Sequence, residues 1–282
     1  MCFFISCIIL AIFAQKNTDS VKISKVVDAL ERFAPLPLQE SYDNAGLQVG
    51  LTEVEVSGAL LCLDVNEQII DEAIAKGCNF VIAHHPLIFH KLSCVSNLDY
   101  VQRTVMKAIK NGISIFAMHT NLDNAFDGVN FKIAEKLGLT DVDFLGEKHQ
   151  LGEVSFASGV VGNMPHALTS TEFVDLLKRT FFVKCVQCNQ LLQRKIKKVA
   201  LCGGAGSFLL DDAIRIGADA FVTGEMSYHE YFGHEQEIQI AVIGHFQSEQ
   251  FTNEIFKSLI ERECVGVPCF LAETNTNPIA YL

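Results

Sequence analysis

Two stretches decide how this chain reads: Ala73-Ile74-Ala75-Lys76-Gly77-Cys78-Asn79-Phe80-Val81 and Ala213-Ile214-Arg215-Ile216-Gly217-Ala218-Asp219-Ala220-Phe221-Val222. Each is the end of an amphipathic helix, a glycine that stops it, and an apolar run that opens a strand. The flanks agree. An apolar run lies upstream of each (58–65 and 199–202). Downstream follow a helical stretch (101–111 and 228–236), another apolar run (113–118 and 238–243) and a last helix (129–137 and 251–262). Both halves therefore read strand, helix, strand, helix, strand, helix, which predicts parallel β-α-β units. The strands are continuous apolar runs, as expected where both faces of a sheet are covered. The predicted fold class is α/β. It comprises two related three-layer α/β domains with mainly parallel sheets, residues 21–150 and 151–282, forming an internal pseudo-repeat around a central site.

The chemistry gathers at the strand ends. His84-His85-Pro86 follows the run ending at Ala83, and His119-Thr120-Asn121-Leu122-Asp123 follows Met118. In the second half Gly224-Glu225-Met226-Ser227-Tyr228-His229 follows Thr223, and Gly244-His245-Phe246-Gln247-Ser248-Glu249 follows Ile243. Ligands of parallel α/β sheets bind outside the carboxyl ends of the strands. The third strands match in chemistry, with His119 four residues before Asp123 and His245 four before Glu249. Positions four apart share a helix face, so each pair can converge on one point. Pro86 turns the chain after His85 and lets two neighbouring imidazoles leave the strand. Histidine and carboxylate without cysteine suit zinc, manganese, iron or cobalt. The predicted metal ligands are His84, His85, Asp123, His245 and Glu249. A single strand-end histidine is more often a structural residue, and the convergence of five candidates from both halves carries the metal reading. General acid-base catalysis without metal, by His119 or Glu225, is the competing use of the same residues. Cys202-Gly203-Gly204-Ala205-Gly206-Ser207 follows a strand and opens a helix, so Gly203, Gly204 and Gly206 are candidate amides for an anion, with a plain tight turn the equal alternative. It is not a Walker A loop, because no lysine follows the glycines.

Composition bounds the rest. The chain has 282 residues, 49% of them hydrophobic and 20% charged, which suits a core-forming globular protein. Its net charge of −11, from 33 acidic and 22 basic residues, disfavours direct nucleic-acid binding. The basic cluster Arg194, Lys195, Lys197 and Lys198 runs into an apolar segment and reads as a solvated strand entry. Ten cysteines lie largely within apolar runs, as in Leu61-Cys62-Leu63, and read as buried thiols rather than disulfide partners. Cys185 and Cys188 form a lone C-x-x-C without the second pair a structural zinc needs. Residues 2–14 are nearly all apolar yet too short for a span of about 20 residues. No Lys or Arg precedes them, and Ile12-Phe13-Ala14 makes a poor cleavage site. Residues 1–20 are set apart as a weak signal, an anchor or an extension. The expected location is the cytoplasm, with the mitochondrion as the alternative, and no membrane span is expected.

Taken together, Tyr42-Asp43-Asn44-x-Gly46-Leu47, His84-His85-Pro86-Leu87-Ile88-Phe89, His119-Thr120-Asn121-Leu122-Asp123, Gly128-Val129-Asn130, Thr223-Gly224-Glu225 and Gly244-His245-x-x-Ser248-Glu249 resemble the Nif-three-like family. That family includes the YbgI-like proteins labelled GTP cyclohydrolase I type 2 homologues. The likeness runs in family order from about residue 21 to the C-terminus. It implies two similar α/β domains and a dinuclear metal centre facing the cavity of a ring-shaped homohexamer. By motif position the ligands are His84, His85, Asp123, His245 and Glu249, with Glu249 as the bridge. Tyr42 stands where the family usually has Trp, and Phe126-Asp127 where glycine is common, departures that concern loop packing. The resemblance leaves the reaction open. The leading expectation is a hydrolase using two divalent ions (zinc, iron or manganese) on a nucleotide or phosphorylated small molecule. Glu225, His119 or His229 would move protons, and the Gly203–Gly206 loop would hold phosphate. The alternatives are a metal-stabilised interaction module with a regulatory protein partner, linked to transcription, and a metal-handling protein.

Overall fold

The computed structural model describes residues 20–281, so the apolar N-terminal segment lies outside the described residues. In the first half, helix α1 (Ile23–Phe33) leads to strands β1 (Gly46–Val49) and β2 (Ala59–Cys62), helix α2 (Glu67–Ala75), β3 (Phe80–Ala83), α3 (Tyr100–Lys110), β4 (Ser114–Ala117), the short α4 (Thr120–Asp123) and α5 (Val129–Leu137). Then follow β5 (Thr140–Leu145), a hairpin of β6 (His149–Leu151) and β7 (Val154–Phe156), the long β8 (Gly159–Leu168) and α6 (Ser170–Phe181). The second half continues with β9 (Gln187–Cys188), β10 (Ile196–Cys202), α7 (Leu210–Arg215), β11 (Ala220–Thr223), β12 (Gln239–Val242), α8 (His245–Glu249), α9 (Thr252–Glu263) and β13 (Cys269–Leu271).

The two quoted stretches fold alike to fine detail. Gly77 and Gly217 both have φ of 68°. The Cys78 amide donates to the Ala73 carbonyl (2.8 Å) and the Gly77 amide to Ile74 (3.1 Å), while Ala218 donates to Ala213 (3.0 Å) and Gly217 to Ile214 (2.9 Å). This is the same left-handed helix stop twice, and glycine holds it without a Cβ penalty. The stop turns each helix directly into β3 and β11, whose four residues are all buried.

The sheets are ordered β1-β4-β3-β2-β13 and β5-β8-β10-β11-β12-β9. In the first, β4, β3, β2 and β13 run parallel and β1 is antiparallel at the edge. In the second, only β10, β11 and β12 are mutually parallel; β8 and β9 flank them antiparallel, with β5 antiparallel to β8 at the edge. The strands alternate between two sides. Leu61, Ile82 and Phe116 of the first sheet and Val199, Leu201 and Val222 of the second join one shared core with α1, α5, α6 and α9. Leu60 and Val81 face α2 and α3 on the outside, and Phe221 and Ile240 face α7. The helices between the sheets thus bind both halves into a single hydrophobic body.

The sheets divide the chain differently from the expected 21–150 and 151–282. Residues 140–145 form an edge of the second sheet, and residues 269–271 return to pair parallel with β2. Neither strand has a long apolar run to announce it: β5 is half exposed and β13 has three residues. The helix expected over 228–236 is only one turn, Tyr228–Tyr231, and the positive φ of Gly233 (83°) and Gln236 (60°) turns the chain aside after it. The basic cluster does enter β10, with Arg194 paired to Asp219 (3.2 Å). Among the described residues no helix is long and apolar enough to cross a membrane.

Candidate metal centre

The carboxyl ends of β2, β3 and β4 meet those of β11 and β12, and five predicted ligands meet there. His84 and Glu249 are buried, at 0% and 3% exposure. The Glu249 carboxylate is divided. Its Oε1 lies 3.7 Å from His84 Nε2, while its Oε2 lies 3.0 Å from His85 Nε2 and 3.2 Å from His245 Nε2. Asp123 Oδ1 is 3.6 Å from the same His84 nitrogen. Three groups able to hold a metal ion result: His84–Asp123–Glu249 and His85–His245–Glu249, which share one carboxylate, and His84–His85–His119.

Each imidazole is turned by a second partner. The Nδ1 of His84 donates to the Met118 carbonyl (2.8 Å), that of His85 to Asp64 (2.7 Å) and that of His245 to Glu225 (2.9 Å). A fourth, His119, donates from Nδ1 to Asp43 (2.8 Å). Oxygens that only accept fix a proton on Nδ1, so each imidazole, when neutral, turns an Nε2 lone pair toward the cluster. The Nε2 atoms of His85 and His245 lie 3.3 Å apart. Such facing lone pairs repel unless a proton or cation lies between them. The buried His84 Nε2 and Glu249 Oε2 have no hydrogen-bond partner. Tetrahedral bonds of about 2.0–2.2 Å separate ligand atoms by roughly 3.3–3.6 Å, close to the separations seen. The residues therefore fit a metal.

The buried groups of the cluster shift one another's ionisation. Burial pushes Asp123 up to about 7, and the charge of Glu249 adds to the effect. Burial works against ionisation of Glu249 too, but His84 and His245 outweigh it and hold that carboxyl well below its usual range. Burial likewise opposes charge on His85, yet Asp64 and Glu249 raise it to about 10. Burial also raises Asp43, but hydrogen bonds from His119 and Thr120 win and lower it to about 2.

The other candidates fall into different places. Glu225 is largely exposed and orients His245. His119 offers a ring nitrogen within 4.8 Å of those of His84 and His85. His229 is exposed, beside Tyr228 (centroids 5.3 Å apart), and belongs to no metal-capable group among the described residues. The glycine loop is not an anion cradle. The Gly203 amide donates to Asn130 Oδ1 (2.8 Å), Gly204 to Ser248 Oγ (2.9 Å) and Gly206 to Thr223 Oγ1 (3.1 Å), so side-chain oxygens already occupy all three. The glycines serve close approach instead. A Cβ on Gly204, where φ is +58°, would stand 2.3 Å from Glu249 Oε1. Cys185 and Cys188 join no metal-capable group among the described residues.

Asp64 was missed by the strand-end reading, although it stands just beyond β2 and the same rule selects it. Its other oxygen accepts from Thr276 Oγ1 (2.8 Å), a contact between residues too far apart in sequence to be read there. Asp43, read only as part of a loop motif, also accepts from the Thr120 amide (3.0 Å). A cavity of about 220 Å³, lined by Tyr42, His119, Asp123, Cys202, Phe208 and Glu249 among others, opens onto the cluster.

With this geometry in hand, comparison with known proteins is specific. The Duf34/NIF3 (NGG1p interacting factor 3) family model matches residues 21–278. A Clostridium acetobutylicum protein named GTP cyclohydrolase 1 type 2 homolog is 31% identical over 93% of this chain and 99% of its own. Its namesake in Clostridium perfringens is 33% identical over 81% of this chain and 87% of its own. A crystal structure of a Staphylococcus aureus protein superposes with a TM-score of 0.85 at 25% identity, covering 94% of this chain and all of the other.

Proposed function

Because this chain belongs to the Duf34/NIF3 family, we propose that it is a dinuclear divalent-metal hydrolase acting on a nucleotide or other phosphorylated small molecule. The divided carboxylate of Glu249, with one oxygen toward each histidine-bearing group, carries the reading. His84, Asp123 and Oε1 would hold one ion, and His85, His245 and Oε2 the other. The nitrogen and oxygen donors suit zinc, iron or manganese. When bound, such a pair polarises a phosphoryl oxygen and supplies hydroxide near neutral pH. The protein's own residues supply the rest. Asp64, Glu225 and the Met118 carbonyl aim three imidazoles, and Asp43 holds His119, whose free ring nitrogen is placed to take or give a proton beside the cluster. The relatives' name makes GTP the first substrate to try.

Elemental analysis of gently purified protein, beside Glu249→Ala, tests this. About two ions per chain, nearly absent from a folded variant, together with metal-dependent hydrolysis of GTP or p-nitrophenyl phosphate, is the expected result. A folded wild type that takes up no zinc, iron or manganese overturns the paired site. Full metal loading with no turnover on any phosphorylated probe favours the interaction module or the metal-handling alternative.

A further inference from the structure

A second, larger cavity, about 530 Å³, also borders His245. It shares His245 and Ala205 with the cavity that opens onto the metal cluster, so the two flank the same imidazole. Its volume is that of a small-molecule site. The end of the chain's long return path walls part of it. After β13 pairs with β2, the chain crosses the strand ends: Glu72 accepts from the Glu273 and Thr274 amides (2.8 and 2.9 Å), and Thr276 donates to Asp64. It then reaches the second half, where Ile279 and Tyr281 wall the cavity. Gly244, with φ of +99°, makes room there: a Cβ on it would lie 2.9 Å from the Tyr281 hydroxyl.

The lining decides what such a cavity takes. It contains no Lys or Arg; its one basic group, His245, is already paired to the Glu225 carboxylate (2.9 Å), so a phosphate placed there would meet an acid and no free cation. Apolar walls come from Met226, Val242 and Tyr281, and neutral hydrogen-bonding groups from Gln187, Ser207 and Ser227. Apolar walls that include the flat ring of Tyr281, with a few neutral donors and acceptors, suit an uncharged planar heterocycle. We propose that this chamber is the subsite for the uncharged heterocyclic part of the substrate, with the phosphorylated part reaching past His245 to the metal cluster. The assignment rests on the hydrolase reading for what lies at the cluster. It does not rest on it for binding within the chamber. Specificity is thereby separated from chemistry: the C-terminal segment recognises the part that does not react.

The test is calorimetric titration of the full chain, supplied with manganese, using the uncharged nucleosides adenosine, guanosine and cytidine and, separately, inorganic phosphate. Tyr281→Ala removes one wall, and Ile279→Trp fills the space. At least one nucleoside should bind the wild type, weaken about fivefold or more in Tyr281→Ala and be lost in Ile279→Trp, while metal content and phosphate binding stay unchanged. Nucleoside binding unmoved by both substitutions, or absent from a wild type that still binds phosphate, overturns the chamber. A wild type without metal whose nucleoside binding still depends on Tyr281 sinks the hydrolase reading and leaves the chamber standing.

Discussion

The third strands of the two halves end in the same pattern and do different work. After β4, His119 and Asp123 lie four apart; after β12, His245 and Glu249 do. Each histidine is pinned through Nδ1 by a carboxylate, Asp43 in one half and Glu225 in the other. The acids differ by one methylene. Asp123 approaches His84 alone among the histidines within ion-pair distance, whereas Glu249 divides its oxygens between His84 on one side and His85 and His245 on the other. The second strands diverge more. The end of β3 supplies two candidate ligands, while the end of β11 supplies Glu225, which supports one. The two halves present equivalent strand ends, and side-chain length and neighbours make one half's acid central to both groups.

The largest effect should separate the two acids. Glu249→Ala should remove nearly all of about two bound ions, Asp123→Asn about one, and Glu249→Asp, one methylene too short to serve both groups, should also keep about one. Metal content by elemental analysis reads this directly, and equal losses in Asp123→Asn and Glu249→Ala would erase the contrast. The glycines sharpen it next. Gly204→Ala should destabilise by about 1–3 kcal/mol and displace Glu249, whereas Gly77→Ala and Gly217→Ala, which meet nothing within 4 Å, should each cost about 1 kcal/mol and leave metal content alone. Denaturant titrations compare all three; a cost that differs between Gly77 and Gly217 would break the equivalence of the two turns.

A support contact should show a smaller effect. Thr276→Val removes the hydroxyl that holds Asp64, and with it part of the aim of His85; metal affinity should fall, by less than the about 10–100-fold that loss of Asp64 itself would cause, with recovery in Thr276→Ser. The spectrum of the cobalt-substituted protein is the readout, and an unchanged spectrum and affinity would confine Thr276 to packing. The smallest effect is acid sensitivity. The Asp43 carboxyl is lowered from its ordinary 3.8 to about 2 in the folded chain. Its contribution is therefore complete above about pH 4 and is lost as pH falls through 2. Asp43→Asn should flatten that acid limb of stability, and a limb of unchanged steepness would assign the acid sensitivity to other carboxylates.

How far the chain can be read without its fold is shown by particular residues. The twin helix stops at Gly77 and Gly217 are local, a backbone conformation that glycine takes at least cost, and the repeat around them is visible in the letters. So are His84, His85, Asp123, His245 and Glu249, because parallel strands deliver their ends to one edge and the chemistry stands immediately after each apolar run. Asp64 was legible by the same rule and was passed over inside an apolar segment. The letters of the glycine loop leave an anion cradle and a plain tight turn equally open, because they show available amides, while the acceptors that occupy them, Asn130, Thr223 and Ser248, come from distant parts of the chain.

By itself, then, the sequence determined the α/β alternation, the duplicated helix stops and the gathering of histidines and carboxylates at strand ends, all of which follow from short-range periodicity and local backbone preference. Only the tertiary structure decided that residues 140–145 and 269–271 pair with the opposite halves, that Glu225 hydrogen-bonds His245, and that Ile279 and Tyr281 wall the cavity beside His245. Those outcomes depend on edge pairing and on distances between residues remote along the chain, which no local pattern encodes.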